Sequence, residues 1–201
     1  MAERTGDELL LERAGAGDQG AFLELYERHR QPVFRFAYRL LGSVELAEDV
    51  THDAFLGLIR RPGGFKEGRA SLRTYLIASA RNLAFKHFRD TGRETTLDEI
   101  AEEPRSSERQ QPLGRVLEAE LVLKVREAVM SLPPLQREAL ILFEYEGLSL
   151  NEIASVTDSD AGAIKARLYR ARERLKTTLR PYLMSDRELN SGREIVTLRE
   201  A

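Results

Sequence analysis

Apolar residues recur along most of this chain at spacings of three and four rather than two, the period of amphipathic helices. Asp18 can cap a first helix carrying Ala21, Phe22, Leu25 and Tyr26. A second is expected to begin near Pro32, where proline is tolerated in a first turn, to carry Phe34, Ala37, Tyr38 and Leu41, and to stop at Gly42. Ser43 can cap a third, with Val44, Ala47, Val50, Ala54 and Leu58 apolar and Glu45, Glu48, Asp49 and Asp53 elsewhere on its surface. Arg61-Pro62-Gly63-Gly64 breaks it, and Ser71 caps a long helix to about Asp90. Residues 91–112 change character: acidic and small polar residues dominate around Pro104 and Pro112, the composition of a flexible linker. A second helical unit follows over 113–183. The pattern predicts an all-α protein of two small helical domains, 18–90 and 113–183, with an N-terminal extension at 1–17, partly helical, and a tail at 184–201.

The second unit carries the sharper local signals. Leu132-Pro133-Pro134 opens a helix that Gly147 closes. Ser149-Leu150-Asn151-Glu152 is a capping box that starts a short helix through Val156. Thr157-Asp158-Ser159 makes a tight turn, and Ser159 or Asp160 can cap the next helix. In that helix Ile164, Leu168, Ala171, Leu175 and Leu179 form one apolar stripe. Lys165, Arg172 and Lys176 flank one side of the stripe, and Arg167, Arg170 and Arg174 the other. A short helix, a turn of three or four residues and a basic helix make a helix-turn-helix, whose second helix enters the DNA major groove.

Charge first argues against nucleic acid and then for it. The chain of 201 residues has a net charge of −2. Yet residues 61–93 hold 8 Lys/Arg against 2 Asp/Glu, and residues 161–182 hold 7 against 1. Acidic stretches separate these basic segments, among them 125–160 with 2 Lys/Arg against 7 Asp/Glu. Along 71–90, Leu72, Leu76, Ile77, Ala80, Leu83 and Ala84 face a core. Tyr75, Arg81, Asn82, Phe85, Lys86 and Arg89 lie opposite. Rings interleaved with basic residues suit single-stranded DNA, where aromatics stack on bases and cations track phosphates. The neighbouring loop, with Arg61, Lys66 and Arg69, ends at a helix N-terminus that could hold a phosphate or a flipped base.

Taken in order, these segments resemble the alternative bacterial RNA polymerase sigma factors of the extracytoplasmic-function (ECF) group, over about residues 7–182. The carrying motifs are Ala47-Glu48-Asp49-Val50-Thr51-His52-Asp53-Ala54-Phe55, Ser71-Leu72-Arg73-Thr74-Tyr75-Leu76 and Ala80-Arg81-Asn82-Leu83-Ala84. They continue with Leu132-Pro133-Pro134-Leu135-Gln136-Arg137-Glu138, Gly147-Leu148-Ser149 and Gly162-Ala163-Ile164-Lys165-Ala166-Arg167-Leu168. The resemblance implies that the first unit binds polymerase core and opens the minus-ten element, while the second binds the minus-thirty-five element as duplex. It assigns Asp49, His52, Asp53 and Phe55 to the clamp coiled coil of the largest polymerase subunit. It assigns Arg61, Lys66, Arg69, Tyr75, Asn82, Lys86 and Arg89 to minus-ten DNA. The minus-thirty-five set is Asp160, Ala163, Lys165, Ala166, Arg167, Arg170 and Arg174. It also implies an anti-sigma partner. Thr157-Asp158-Ser159 departs from the Leu-Gly-hydrophobic turn usual in the group, so a looser turn is expected. Asp160 suits a cytosine amino group or repels phosphate.

Other chemistries lack their parts. The absence of cysteine excludes disulfides, thiolate metal sites and a cysteine nucleophile. Asp49-x-x-His52 has the spacing of half a di-metal site, but His29 and His87 have no carboxylate three residues before them. No phosphate-binding Gly-x-x-x-x-Gly-Lys loop or Gly-x-Ser-x-Gly elbow occurs. No enzymatic activity, metal or cofactor is expected. No apolar run approaches the roughly 20 residues that span a bilayer, and the N-terminus has no signal-peptide layout, so a cytoplasmic protein without membrane insertion is expected. The competing reading is a duplex-binding helix-turn-helix regulator whose first unit dimerises or senses. Such a unit has no need of Tyr75, Asn82, Phe85 and Arg89 on one face.

Overall fold

The computed structural model describes residues 6–65, 70–92 and 115–197, with side chains described except at 62, 115–120 and 183–197. Among these residues the chain is helical throughout. Its elements are α1 (Gly6–Gly15), α2 (Gln19–Leu41), α3 (Val44–Arg60), a 3-10 turn (Pro62–Gly64) and α4 (Leu72–Asp90), then α5 (Arg115–Ser131), α6 (Pro134–Leu140), α7 (Leu150–Thr157) and α8 (Ala161–Thr197). A single π turn, Ile141–Tyr145, continues α6. The interval 93–114, which holds most of the expected linker, lies outside the described residues.

Local chemistry sets the helix ends in the first unit. The Asp18 carboxylate accepts from the Ala21 amide at 3.1 Å and from Arg13 at 2.7 Å. These bonds hold its pKa below the usual carboxylate range. Ser43 and Ser71 accept from the amides of Leu46 and Thr74. Gly42 ends α2 with φ +76°, a left-handed cap that glycine adopts without strain. A Cβ there would also meet the terminal methyl of Met130, which would have to swing aside.

Pro32 does not start a helix. It lies inside α2, which runs unbroken for 23 residues. Proline removes one backbone donor, but the buried stripe of Leu25, His29, Val33, Phe36, Ala37 and Leu40 passes through it and packs on both sides. Tertiary burial overrides the local breaker. Helix α1 joins this core with Leu10, Leu11 and Ala14, and its Asp7 carboxylate takes Arg28 at 2.5 Å and His29 Nε2 at 2.8 Å.

In the second unit Pro134 occupies the first turn of α6, and Gly147 follows the π turn with φ +70°. The two units pack against each other. One buried apolar cluster contains Phe36, Leu40, Leu76 and Ile77 of the first unit together with Ile141, Leu142, Ile153, Ile164 and Leu168 of the second. A smaller cluster of Val129, Leu132, Leu140 and Ala171 ties α5 and α6 to α8.

Candidate nucleic-acid and polymerase interfaces

The helix-turn-helix forms as the capping signals require. Ser149 and Glu152 exchange their bonds, the Ser149 hydroxyl and amide donating to the Glu152 carboxylate at 2.7 and 2.8 Å, which together hold that carboxyl below its usual pKa. The turn after α7 is closed rather than loose. Asp158 takes a left-handed conformation at φ 51°, its amide and that of Ser159 both donate to the Ala154 carbonyl, and buried Thr157 donates to the Ile153 carbonyl at 2.8 Å. Aspartate is among the few non-glycine residues that visit this region readily. Asp160 is the cap of α8, accepting from the Ala163 amide at 2.8 Å. Its carboxylate therefore holds the helix start instead of projecting freely toward a base.

Burial of Ile164, Leu168 and Ala171 turns the opposite face of α8 outward. Lys165, Ala166 and Arg170 are exposed there; Ala163 and Arg174 are half-buried. Arg167 is also half-buried, with one guanidinium nitrogen enclosed and lacking a hydrogen-bond partner. Tyr169, which the sequence reading left out, is 67% exposed between Ala166 and Arg170. Its position on the outward arc at 100° per residue was the available signal.

In the first unit, Asn82, Lys86 and Arg89 are exposed on α4, and Arg61 is exposed before the 3-10 turn. Lys66 and Arg69 lie outside the described residues. The aromatic part of this face differs from expectation. Phe85 is 7% exposed and packs edge-on against Phe88 at 5.5 Å, with the Arg81 guanidinium 4.3 Å above its ring. It is a core residue, because α4 is covered on more than one side. Tyr75 is half-buried, edge-on to Phe65 at 5.7 Å, with its hydroxyl against Gly64.

On α3, Glu48, Asp49, His52 and Asp53 are exposed along one side. Phe55 does not share that surface: it is 1% exposed and meets the ring of Tyr26 at 4.9 Å. Its place on the buried stripe, one residue after Ala54 and three before Leu58, explains why. Among the described residues no group of three metal-ligating side chains gathers around Asp49 and His52.

Residues not anticipated from the sequence join the two units. Arg137 is buried, donating to the Leu40 carbonyl of α2 at 2.7 Å and to the Met130 and Leu132 carbonyls at 2.5 and 2.9 Å. Desolvation pushes its pKa down to about 10. The fully buried Glu138 accepts from Arg81 Nε at 2.5 Å. Burial raises its pKa above the ordinary value, against the opposing effects of Arg81 and Arg167. The Glu146 side chain, 3% exposed, meets Arg73 at 2.5 Å and Arg39 at 4.0 Å.

A bundle bearing one acidic outward helix, one basic helix and a capped helix-turn-helix defines a DNA-binding protein of the sigma-70 class. Sigma-70 region 2 matches residues 25–94, and Sigma-70, region 4 matches residues 123–175. The chain is 32% identical over 191 residues to the ECF RNA polymerase sigma-E factor of Escherichia coli K12, spanning 91% of this chain and 99% of that one. It is 35% identical over 170 residues to the ECF RNA polymerase sigma factor BldN of Streptomyces coelicolor, covering 81% of this chain and 61% of that longer protein. The chain belongs to the ECF RNA polymerase sigma factors. Its fold is similar to that of the sigma factor RpoE of Bartonella quintana, solved with the anti-sigma factor NepR, with a TM-score of 0.59 and 25% identity. That match covers 79% of this chain and 96% of the other. It also resembles CnrH, solved with the cytosolic domain of CnrY, with a TM-score of 0.62 and 22% identity over 88% of this chain and 99% of the other.

Proposed function

We propose that this protein is an alternative sigma factor that binds RNA polymerase core through α3, opens the minus-ten element along α4 and reads the minus-thirty-five element with α8. The observation that carries this reading is the pair of basic helices, each following a capped turn, in a chain matched by both sigma-70 regions. Asp49, His52 and Asp53 form the polymerase-facing edge, and buried Phe55 supports it from within. Arg61, Tyr75, Asn82, Lys86 and Arg89 contact the separated minus-ten strand, and Lys66 and Arg69 are assigned to the same DNA. Lys165, Ala166, Tyr169 and Arg170 meet base edges and phosphates in the major groove, with Ala163 giving close approach and Arg174 reaching backbone phosphate. Asp160 and Arg167 position the helix.

Extruding a base costs a few kcal/mol, which polymerase contacts must offset, so DNA binding is conditional on core. The nucleotidyl transfer belongs to the polymerase, and the sigma factor has no enzymatic activity of its own. It acts in the cytoplasm, and no described helix is long and apolar enough to cross a membrane. An anti-sigma factor, as NepR is for the RpoE neighbour, is the expected inhibitor. Asp53→Arg reverses charge on the α3 edge and is expected to lower co-purification of core polymerase at least tenfold with unchanged helicity. Equal recovery of core would remove α3 from the polymerase interface.

A further inference from the structure

One cavity lies away from the residues given to polymerase and DNA. It has a volume of about 510 Å³ and opens between α2 and α5, with Tyr145 of the π turn at its side. That size is within the range of small-molecule sites. Its apolar wall is a row on one side of α5, made of Leu121, Val122, Val125, Val129 and Met130. At 1.5 Å per residue this row extends for about 13 Å. Val122 is 67% exposed, so the wall faces solvent and is not sealed in the core. Exposed apolar surface rimmed by charge marks ligand grooves.

The rim of the cavity carries positive charge without its counterpart. The Arg126 guanidinium of α5 lies 4.7 Å from the ring centroid of Tyr38. Arg35 precedes Tyr38 by three residues on α2, and residues three apart are neighbours on a helix surface, so it borders the same ring. Both arginines are exposed and line the cavity, and among the described residues neither has a carboxylate partner. Arg39 is differently placed, 4.3 Å above Tyr145 and 4.0 Å from Glu146. No aspartate or glutamate among the described residues lines the cavity. We propose that this cavity is a binding site for a fatty acid, its chain along the α5 row and its carboxylate between Arg35 and Arg126.

The rim selects the sign of the headgroup, and the wall selects the body. A guanidinium can donate two parallel bonds to a carboxylate, stronger than neutral hydrogen bonds. Arg126 already rests on Tyr38, so it gives up little freedom when an anion arrives. A cationic or neutral head would leave both arginines without a counter-charge. The wall offers no side-chain donor or acceptor from Leu121 to Val125. A nucleotide would therefore set its sugar and base polar groups unpaired against aliphatic carbon, which is unfavourable. An acyl chain has nothing to pair and gains up to about fourfold in affinity for each methylene it buries.

Isothermal titration of the full chain with dodecanoate, kept below its micelle concentration, tests the site. One molecule should bind per chain, and affinity should fall stepwise as the chain is shortened toward octanoate. Dodecyltrimethylammonium, the same chain with a positive head, and acetate, the head without the chain, should not bind. Arg35→Glu and Arg126→Glu should each weaken dodecanoate about tenfold or more. Val122→Glu, which sets a carboxylate on the apolar wall, should do the same. All three positions are exposed, and helical circular dichroism reports that each variant keeps its fold; if one does not, the other two carry the test. Equal binding of the cationic amphiphile, several dodecanoates per chain, or parental affinity in the folded variants overturns the site. So does an acidic amphipathic helical peptide that binds where dodecanoate does not, since the groove then belongs to a protein partner. The titration needs neither DNA nor polymerase, so its failure leaves the sigma-factor reading standing.

Discussion

Helices α4 and α8 lie in segments with the same excess of positive charge, but they hold it in different states. On α8 the outward residues Lys165, Arg170 and Lys176 are exposed, while Arg167 and Arg174 are half-buried. On α4, Arg81 is drawn into a buried pair, and the ring expected beside it, Phe85, is part of the core. The difference follows from what each helix packs against. Helix α8 rests on its own unit along one apolar stripe, whereas α4 is pressed from a second side by α6 and α7. Net charge along a sequence counts cations; only packing decides which of them can meet a phosphate.

The largest expected effect breaks the buried polar bridge that ties the second unit to α2. Arg137→Met strands three carbonyls inside the structure, each worth about 1–3 kcal/mol when left unsatisfied. Urea unfolding should register a loss of about 3 kcal/mol or more, and a loss below about 1 kcal/mol would show that the Arg137 bridge is dispensable.

Next in size is the exposed side of the comparison. Arg170→Ala on α8 should weaken minus-thirty-five binding by about 1–3 kcal/mol if it reads a base, with loss of discrimination at one position. Lys176→Ala should weaken all sequences alike and lower the salt slope by about 1 if it touches only phosphate. Titrations of the polymerase complex at several salt concentrations separate these outcomes.

Smaller still is the effect on the second unit's own helix start. Ser149→Ala removes half of the capping box and should cost about 1 kcal/mol in unfolding free energy. It should leave the contacts of α4 untouched, so the spacing of the two units should not change. A changed inter-unit distance in this variant would mean that α7 is not an independently capped element.

The finest probe is pH. Burial raises the pKa of Glu138 above its ordinary 4.5, so over that interval the folded chain keeps a proton that the unfolded chain has released. Stability should therefore fall as pH rises from about 4.5 through the raised value, and Glu138→Gln should flatten that slope. The Asp18 and Glu152 carboxyls, whose pKa values are lowered, act in the opposite sense. Their contribution is present above the ordinary carboxylate range and fades as pH falls through their lowered values. A slope in Glu138→Gln equal to that of the parent would place the buried proton elsewhere.

Much of the architecture was legible because its signals are local. Asp18, Ser43, Ser71 and Ser149 each cap the helix they precede, and Gly42 and Gly147 adopt the positive φ that stops a helix. The stripe through Ile164, Leu168 and Ala171 fixes which face of α8 looks outward, and with it most of the recognition surface. The misplaced features depend on partners distant in sequence. Pro32 reads as a helix start until the core on both sides of it is known. Phe55 and Phe85 sit where a surface pattern and a buried stripe overlap, and burial decided both. The pairs Arg81–Glu138 and Arg73–Glu146 span 57 and 73 residues, and no periodicity within either helix encodes them. The turn at Thr157-Asp158-Ser159 looked loose only because aspartate replaced glycine, and Asp158 takes the left-handed conformation all the same.

The central claim, that this chain turns core polymerase into a promoter-specific enzyme, is met most directly by reconstituted run-off transcription on promoters selected from genomic DNA. The account predicts a discrete transcript that requires core, this protein and both promoter elements together. Absence of product on every selected promoter, with core and protein demonstrably associated, would contradict it.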